Sequence, residues 1–277
     1  MAGAPPLTDG ERWSRKLLAD LLAERYRPAA CVSFLQRSFA YAGETRRARP
    51  ALARQARRWG MAGSAATVVV TPASRLRPLA GLAWWGACWA MLEWHIGMVE
   101  GPHGERHARL SLADALTLLR LGLVPVAAAP AGAAPWAAAI MAGAASDAAD
   151  GVAARRAGPT RLGRELDSYA DTAFFSAAAW GAARAGWVPS GAASAVLARH
   201  CAGLAFVSYR WFAHGSPPQL SADTRWAAAP TTLGLLLAVA GARRTAGAVL
   251  ASTAAAALAT HAAAFARDRS VAHDEAR

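Results

Sequence analysis

Residues 147–171 read DAADGVAARRAGPTRLGRELDSYAD, and the way this stretch folds decides the class of the whole chain. Asp147 and Asp150 are three residues apart, with Gly151 and Ala154 following on the same helical face. Gly163, Asp167 and Asp171 step by four along one face of a second helix. Gly158 and Pro159, in the loop 155–163, turn the chain back, so the helices are expected as antiparallel neighbours with two carboxylate pairs confronting each other.

The flanking sequence is apolar, and that makes the carboxylates expensive. An aspartate at the centre of a membrane span costs roughly 2.5–3.5 kcal/mol even on lenient insertion scales. Four of the chain's ten aspartates lie in this one stretch, so they need a water-filled end and cations to neutralise them. Oxygen-only ligands suit hard ions such as magnesium or manganese, and two such ions bridging a diphosphate form a known catalytic arrangement. Gly151, Ala154 and Gly163 leave room for a ligand against the backbone. Arg155, one residue beyond that face, is placed to meet a phosphate.

Composition agrees with a bilayer setting. Hydrophobic residues make up 55% of the 277 and charged residues 17%, against about 25% in globular domains. The net charge of +12 is carried almost wholly by arginine, Lys16 being the only lysine. With long apolar runs present, that charge reads as cytoplasmic loops facing anionic lipid and not as a nucleic-acid surface. Cys31, Cys88 and Cys201 are scattered, which excludes a disulfide framework or a CxxC metal site. The start lacks a basic segment followed by an apolar one, so internal spans are expected to direct insertion.

The expected fold is an all-α integral membrane protein with a six-helix transmembrane catalytic core. A basic helical cytoplasmic region and one or two extra transmembrane helices precede it. The divisions fall at 1–60, 61–110 and 111–277. Residues 1–60 hold twelve basic and five acidic side chains. There Trp13, Leu17, Leu18, Leu21 and Leu22 recur at helical spacing, as do Leu52, Ala56 and Trp59. Such faces suit either the membrane surface or packing against the rest of the protein. Up to eight spans are expected, near 61–72, 78–98, 111–129, 133–154, 164–187, 191–212, 226–242 and 245–266. Positive charge places the N-terminus, the 99–110 link, the 155–164 loop, the 213–225 loop and the C-terminus in the cytoplasm, although Arg243 and Arg244 oppose this orientation.

Asp147, Asp150, Gly151, Ala154, Arg155, Gly163, Asp167 and Asp171 together resemble, in order, the signature of the CDP-alcohol phosphatidyltransferases. The loop between Arg155 and Gly163 holds seven residues where the family commonly has eight. The stretch ALTLLRLGLVP, with Arg120, resembles the family's first core helix. The resemblance covers roughly 111–266 and leaves 1–110 unassigned. It implies six transmembrane helices, a CDP-alcohol donor such as CDP-diacylglycerol, a small alcohol acceptor and release of CMP in phospholipid biosynthesis. It also implies two ions, Mg2+ or Mn2+, held by Asp147, Asp150, Asp167 and Asp171, with Asp171 also the base that takes the acceptor's proton. Gly151, Ala154, Arg155 and Gly163 would line the donor site. Membrane lipids are expected as partners, nucleic acid is not, and a homodimer is left open.

Arg161, Arg164, Arg210 and Arg225 fall at the cytoplasmic mouth on this topology, more guanidinium than one diphosphate requires. They are the candidate acceptor-binding residues, for a phosphorylated polyol such as glycerol 3-phosphate or inositol phosphate. Against the metal site stands a plain salt-bridged helix pair using Arg155, Arg156, Arg161 and Arg164. Against the enzyme stand a divalent-metal or proton-coupled transporter and a membrane scaffold. A transporter predicts acidic residues spread over several spans and an internal repeat. Glu93 and His95 read as markers of an interface, and His200 as a polar residue satisfied between helices.

Overall fold

The computed structural model describes residues 7–158, 160–214 and 225–274, without the side chains of 157, 210–214, 225 and 267–274. Among the described residues there is no strand, and ten α-helices follow one another: α1 Asp9–Ala23, α2 Pro28–Ala48, α3 Pro50–Val70, α4 Pro78–Trp94, α5 Leu112–Ala128, α6 Ala133–Ala157, α7 Arg161–Arg184, α8 Ser190–His214, α9 Ala228–Val239 and α10 Arg243–Asp274. They form two compact units. The first takes the residues up to Val69, Arg77–Gly122 and Ser146–Asp167; the second takes Val70–Leu76, Leu123–Ala145 and the residues from Ser168 onward.

In the first unit, local chemistry starts the helices. Thr8 caps α1 by accepting from the Glu11 N–H, and Glu11 returns the bond to the Thr8 N–H. Proline opens α2, α3 and α4, where its absent N–H is no loss. The helix α3 runs through residue 60, so the division expected there falls inside one element, which also carries the span expected at 61–72 as far as Val70. Gly60 and Gly63 do not break it, because they seat tryptophans: the Trp85 indole donates to Gly60 O (2.9 Å) and Trp89 to Ala56 O (3.2 Å). A Cβ on Gly63 would overlap the Trp85 ring.

Packing accounts for one apolar face of the N-terminal region. Leu17, Leu21, Leu52 and Ala56 are buried, Trp13 stacks on Tyr41 at 4.3 Å, and Trp94 donates to Ser38 Oγ (2.8 Å). Leu22, Val32, Leu35 and Phe39 remain exposed on α1 and α2. The 95–110 link is stitched down by Arg49, which donates to the carbonyls of Val99 (2.8 Å) and His107 (3.4 Å), and by Gln55, which pairs with both backbone groups of Leu110.

The helix α6 continues to Ala157, so Arg155 and Arg156 are helical and not in the loop expected from 155. Alanine and arginine are good helix formers, and the chain turns only at Gly158, whose φ of +83° favours glycine.

In the second unit Trp136 is fully buried, donates to Ala127 O (3.0 Å) and meets Trp187 edge-on. The helices α8, α9 and α10 pack through small and branched residues, among them Gly234, Leu235, Ala246, Leu250 and Ala254. Among the described residues, two helices are long and apolar enough to cross a membrane, over Ser190–Tyr209 and Arg243–Ala266. The other expected spans form helices that fall short of this: α4 and α5 have 17 residues each, and α6 and α7 carry the aspartates and arginines. The α9 helix, at 12 residues, reaches about 18 Å of the roughly 30 Å hydrocarbon core.

Candidate metal centre and substrate site

Within the first unit, α5, α6 and the start of α7 bring four charged side chains together. Arg120, fully buried on α5, donates to Asp167 Oδ1 (2.8 Å), hydrogen-bonds Asp150, and lies 3.4 Å from Asp147 Oδ1. One carboxylate oxygen from each of Asp147, Asp150 and Asp167 lies within 4.8 Å of the other two. The three carboxylates are open to different degrees, their side chains being 27%, 11% and 41% exposed. A group of three carboxylate oxygens converging on one point, with one guanidinium behind them and an open side, fits a divalent cation with oxygen ligands.

Asp171 follows Asp167 by one turn on α7 and belongs to the second unit, where it lies within electrostatic range of Arg199. The close group is therefore three of the four expected ligands. The salt-bridged alternative named Arg155, Arg156, Arg161 and Arg164 as partners, whereas the guanidinium bound to the aspartates is that of Arg120. The resemblance places Arg120 on the first core helix and gives it no role of its own. The signal was there, since an arginine in the middle of an apolar helix carries the same cost that singled out the aspartates.

Gly151 and Ala154 are half-buried on α6, and Arg155 beside them is exposed. A Cβ built on Gly151 would press on Arg155 Nη1 at 3.3 Å, the end of a flexible and exposed side chain. The space beside Gly163 is taken by protein. A Cβ there would stand 2.9 Å from Asp114 Oδ1 and 3.0 Å from Thr160 Oγ1. Thr160 caps α7 by accepting from the Gly163 N–H (2.9 Å) and donates to the buried Asp114 (3.0 Å), which also accepts from Ser111 N (2.7 Å) and Oγ (2.8 Å). The glycine thus permits the close approach that anchors α7 to α5.

Arg161 is buried, donating to Glu100 Oε1 (3.3 Å) and Ser14 Oγ (3.0 Å), and Arg164 donates to Glu11 (3.2 Å). Both guanidiniums expected for the acceptor therefore already hold carboxylates. The side chains of Arg210 and Arg225 lie outside the described residues. Glu93 pairs with Arg46 and His95 with Met91 O (2.8 Å), which places them in the packing of α2 against α4 and its end. In the second unit His200 stacks on Phe175 and approaches Arg199.

Set against known proteins, the chain matches the family model for CDP-alcohol phosphatidyltransferases over residues 110–265. No curated protein matches it, and no solved structure does.

Proposed function

The chain belongs to the CDP-alcohol phosphatidyltransferase family, a family of phosphotransferases, and we propose on that premise that it is an integral membrane enzyme moving a phosphatidyl group from CDP-diacylglycerol to a phosphorylated polyol. The observation that carries the proposal is the convergence of Asp147, Asp150 and Asp167 inside the matched region. The match gives no support to a transporter.

In this reading Asp147, Asp150, Asp167 and Asp171 hold two magnesium or manganese ions, which when bound neutralise the diphosphate and polarise the phosphorus under attack. Arg120 holds three of these carboxylates in register. Gly151, Ala154 and Arg155 receive the donor along α6, with the Arg155 guanidinium near its phosphates. Asp171 takes the proton from the acceptor hydroxyl. The acceptor oxygen then bonds to the phosphatidyl phosphorus, the bond from that phosphorus to the bridging oxygen breaks, and CMP leaves with the electron pair. Gly163 acts on the donor only through the seating of α7.

The bilayer setting is supported by the surface. Only 33% of Ser190–Tyr209 and 22% of Arg243–Ala266 are buried within the protein, unlike the core helix of a soluble domain. Val69, Leu79, Leu112, Met141 and Leu233 are also exposed. The divisions 1–60, 61–110 and 111–277 are kept as an outline, with α3 crossing the first of them. The catalytic end of α6 is proposed to face the cytoplasm.

The test is detergent-solubilised protein given labelled CDP-diacylglycerol, magnesium and a panel of alcohols, with CMP release and the lipid product measured. Metal-dependent CMP release is expected, and none with any acceptor would refute the proposal. For orientation, a cysteine at the exposed Arg156, in a background lacking Cys31, Cys88 and Cys201, should resist impermeant reagents in intact cells. Labelling there from outside would overturn the cytoplasmic placement.

A further inference from the structure

The first turn of α7 is gripped by residues that lie outside the family match. Thr8, Gly10, Glu11 and Ser14 on α1, and Glu100 in the link before α5, all precede residue 110. The Arg161 N–H donates to Glu100 O (2.8 Å), while the Glu100 carboxylate accepts from Arg161 (3.3 Å) and from Thr8 Oγ1 (2.8 Å). Ser14 accepts a further bond from Arg161, and Glu11 accepts from Arg164, which also reaches Glu165. Thr8, Glu11, Glu100 and Arg161 are all buried. The approach is close: a Cβ on Gly10 would lie 2.6 Å from Glu100 Oε1 and 3.0 Å from Arg161 Nη1.

Asp167 stands six residues along the helix so held, and Arg161 opens it. A buried ion pair with its remaining hydrogen-bonding groups largely matched is a rigid joint, because breaking one partner leaves the other charge stranded. We infer that Glu100 and Arg161 are positioning residues, and that the first turn of α1 with Glu100 forms a clamp fixing α7 so that Asp167 meets Asp147 and Asp150. The inference rests on the transferase reading, with Asp167 as a metal ligand. It gives the N-terminal hundred residues a part in the reaction without contact to substrate.

Two variants attack the clamp differently. Glu100→Gln removes the charge and keeps the shape. Gly10→Val keeps every polar group and drives α1 away. Each should lower kcat about tenfold with donor KM within about twofold, and raise the magnesium concentration for half-maximal rate several-fold. Exchanging the pair, as Glu100→Arg with Arg161→Glu, should recover part of the loss. Arg37→Ala, which breaks an exposed pair with Asp20 on the same region, should change nothing. Amide hydrogen exchange across 161–167 in full-length protein reads the clamp without turnover and should quicken about tenfold in both variants. Unchanged exchange overturns the clamp whatever the activity, and quickened exchange with native kcat and native magnesium response overturns its positioning role. A wild-type protein that releases no CMP, with exchange quickened in the variants, refutes the transferase reading and leaves the clamp standing.

Discussion

Two buried ionic groups meet on α7, and they are built on opposite balances. Around Arg120, three carboxylates share one guanidinium. At the first turn, the buried Arg161 faces Glu100, one carboxylate to one guanidinium, while the half-exposed Arg164 is shared by Glu11 and Glu165. A balanced group leaves little charge uncompensated and serves construction. An unbalanced one keeps capacity for further cations, which is where a metal-dependent transfer belongs. The difference separates chemistry from scaffolding among side chains that look alike in the sequence.

The hardest way to break this comparison is to remove charge from the unbalanced side, or from Asp171 one turn beyond it on α7. Asp171→Asn should cut CMP release by about 10²–10⁴-fold while donor binding partly survives, since asparagine keeps the shape but cannot take a proton. Asp147→Asn should weaken the response to magnesium itself. Near-native release by both variants at saturating magnesium would end the case for catalysis here. Arg120→Met tests the other sign. With the central cation gone, three carboxylates are left facing one another, at a cost of about 3–5 kcal/mol in stability. Titrated magnesium should recover much of that loss, read as the unfolding midpoint in detergent. If it recovers none, Arg120 is not sharing its place with metal ions.

Metal binding itself sharpens the contrast at smaller scale. An ion that binds only the folded protein stabilises it by about 2.7 kcal/mol at a hundred times its Kd. Wild-type protein should therefore melt higher with magnesium and lower with a chelator. Asp150→Asn should lose most of that response, while Glu11→Gln, on the balanced side, should keep it. Equal responses in the two variants would show that the charge balance has no bearing on metal.

Much of the unbalanced group was legible in the sequence, because its cost is local. Four aspartates on apolar helices at spacings of three and four announce a shared face without any knowledge of tertiary contacts. The balanced group was not. Glu100 and Arg161 are 61 residues apart, Thr8 and Glu100 are 92 apart, and each alone is an ordinary charged or polar residue in a loop or at a helix end. Gly163 shows the same limit: nothing near it in the sequence marks Asp114, 49 positions earlier, whose Oδ1 would stand 2.9 Å from a Cβ there. The helical character of the N-terminal region came through from periodicity. That α3 continues across residue 60 is not legible locally, since Gly60 and Gly63 look like punctuation until the tryptophans of α4 are set against them.

The smallest expected effect falls on the acceptor, and it divides arginines that the sequence grouped together. Arg164 is half-exposed and already donates to Glu11 and Glu165, so a phosphate would have to compete for it. An ion pair that open to water is worth little, and its loss should cost less than about 1 kcal/mol. Arg210 is placed differently, near the end of α8 in SYRWF, at the cytoplasmic mouth on the proposed topology. A guanidinium there can grip a phosphate monoester with two parallel bonds, the charge-assisted contact as a whole being worth roughly 1.5–3 kcal/mol. Arg210→Ala should then raise the acceptor's apparent KM about ten- to a hundredfold and leave the donor's nearly unchanged. Arg164→Ala should leave both within about threefold. The opposite ranking would return the acceptor to the first turn of α7 and make Glu11 its competitor. A product formed from an unphosphorylated alcohol such as serine would remove the need for either arginine.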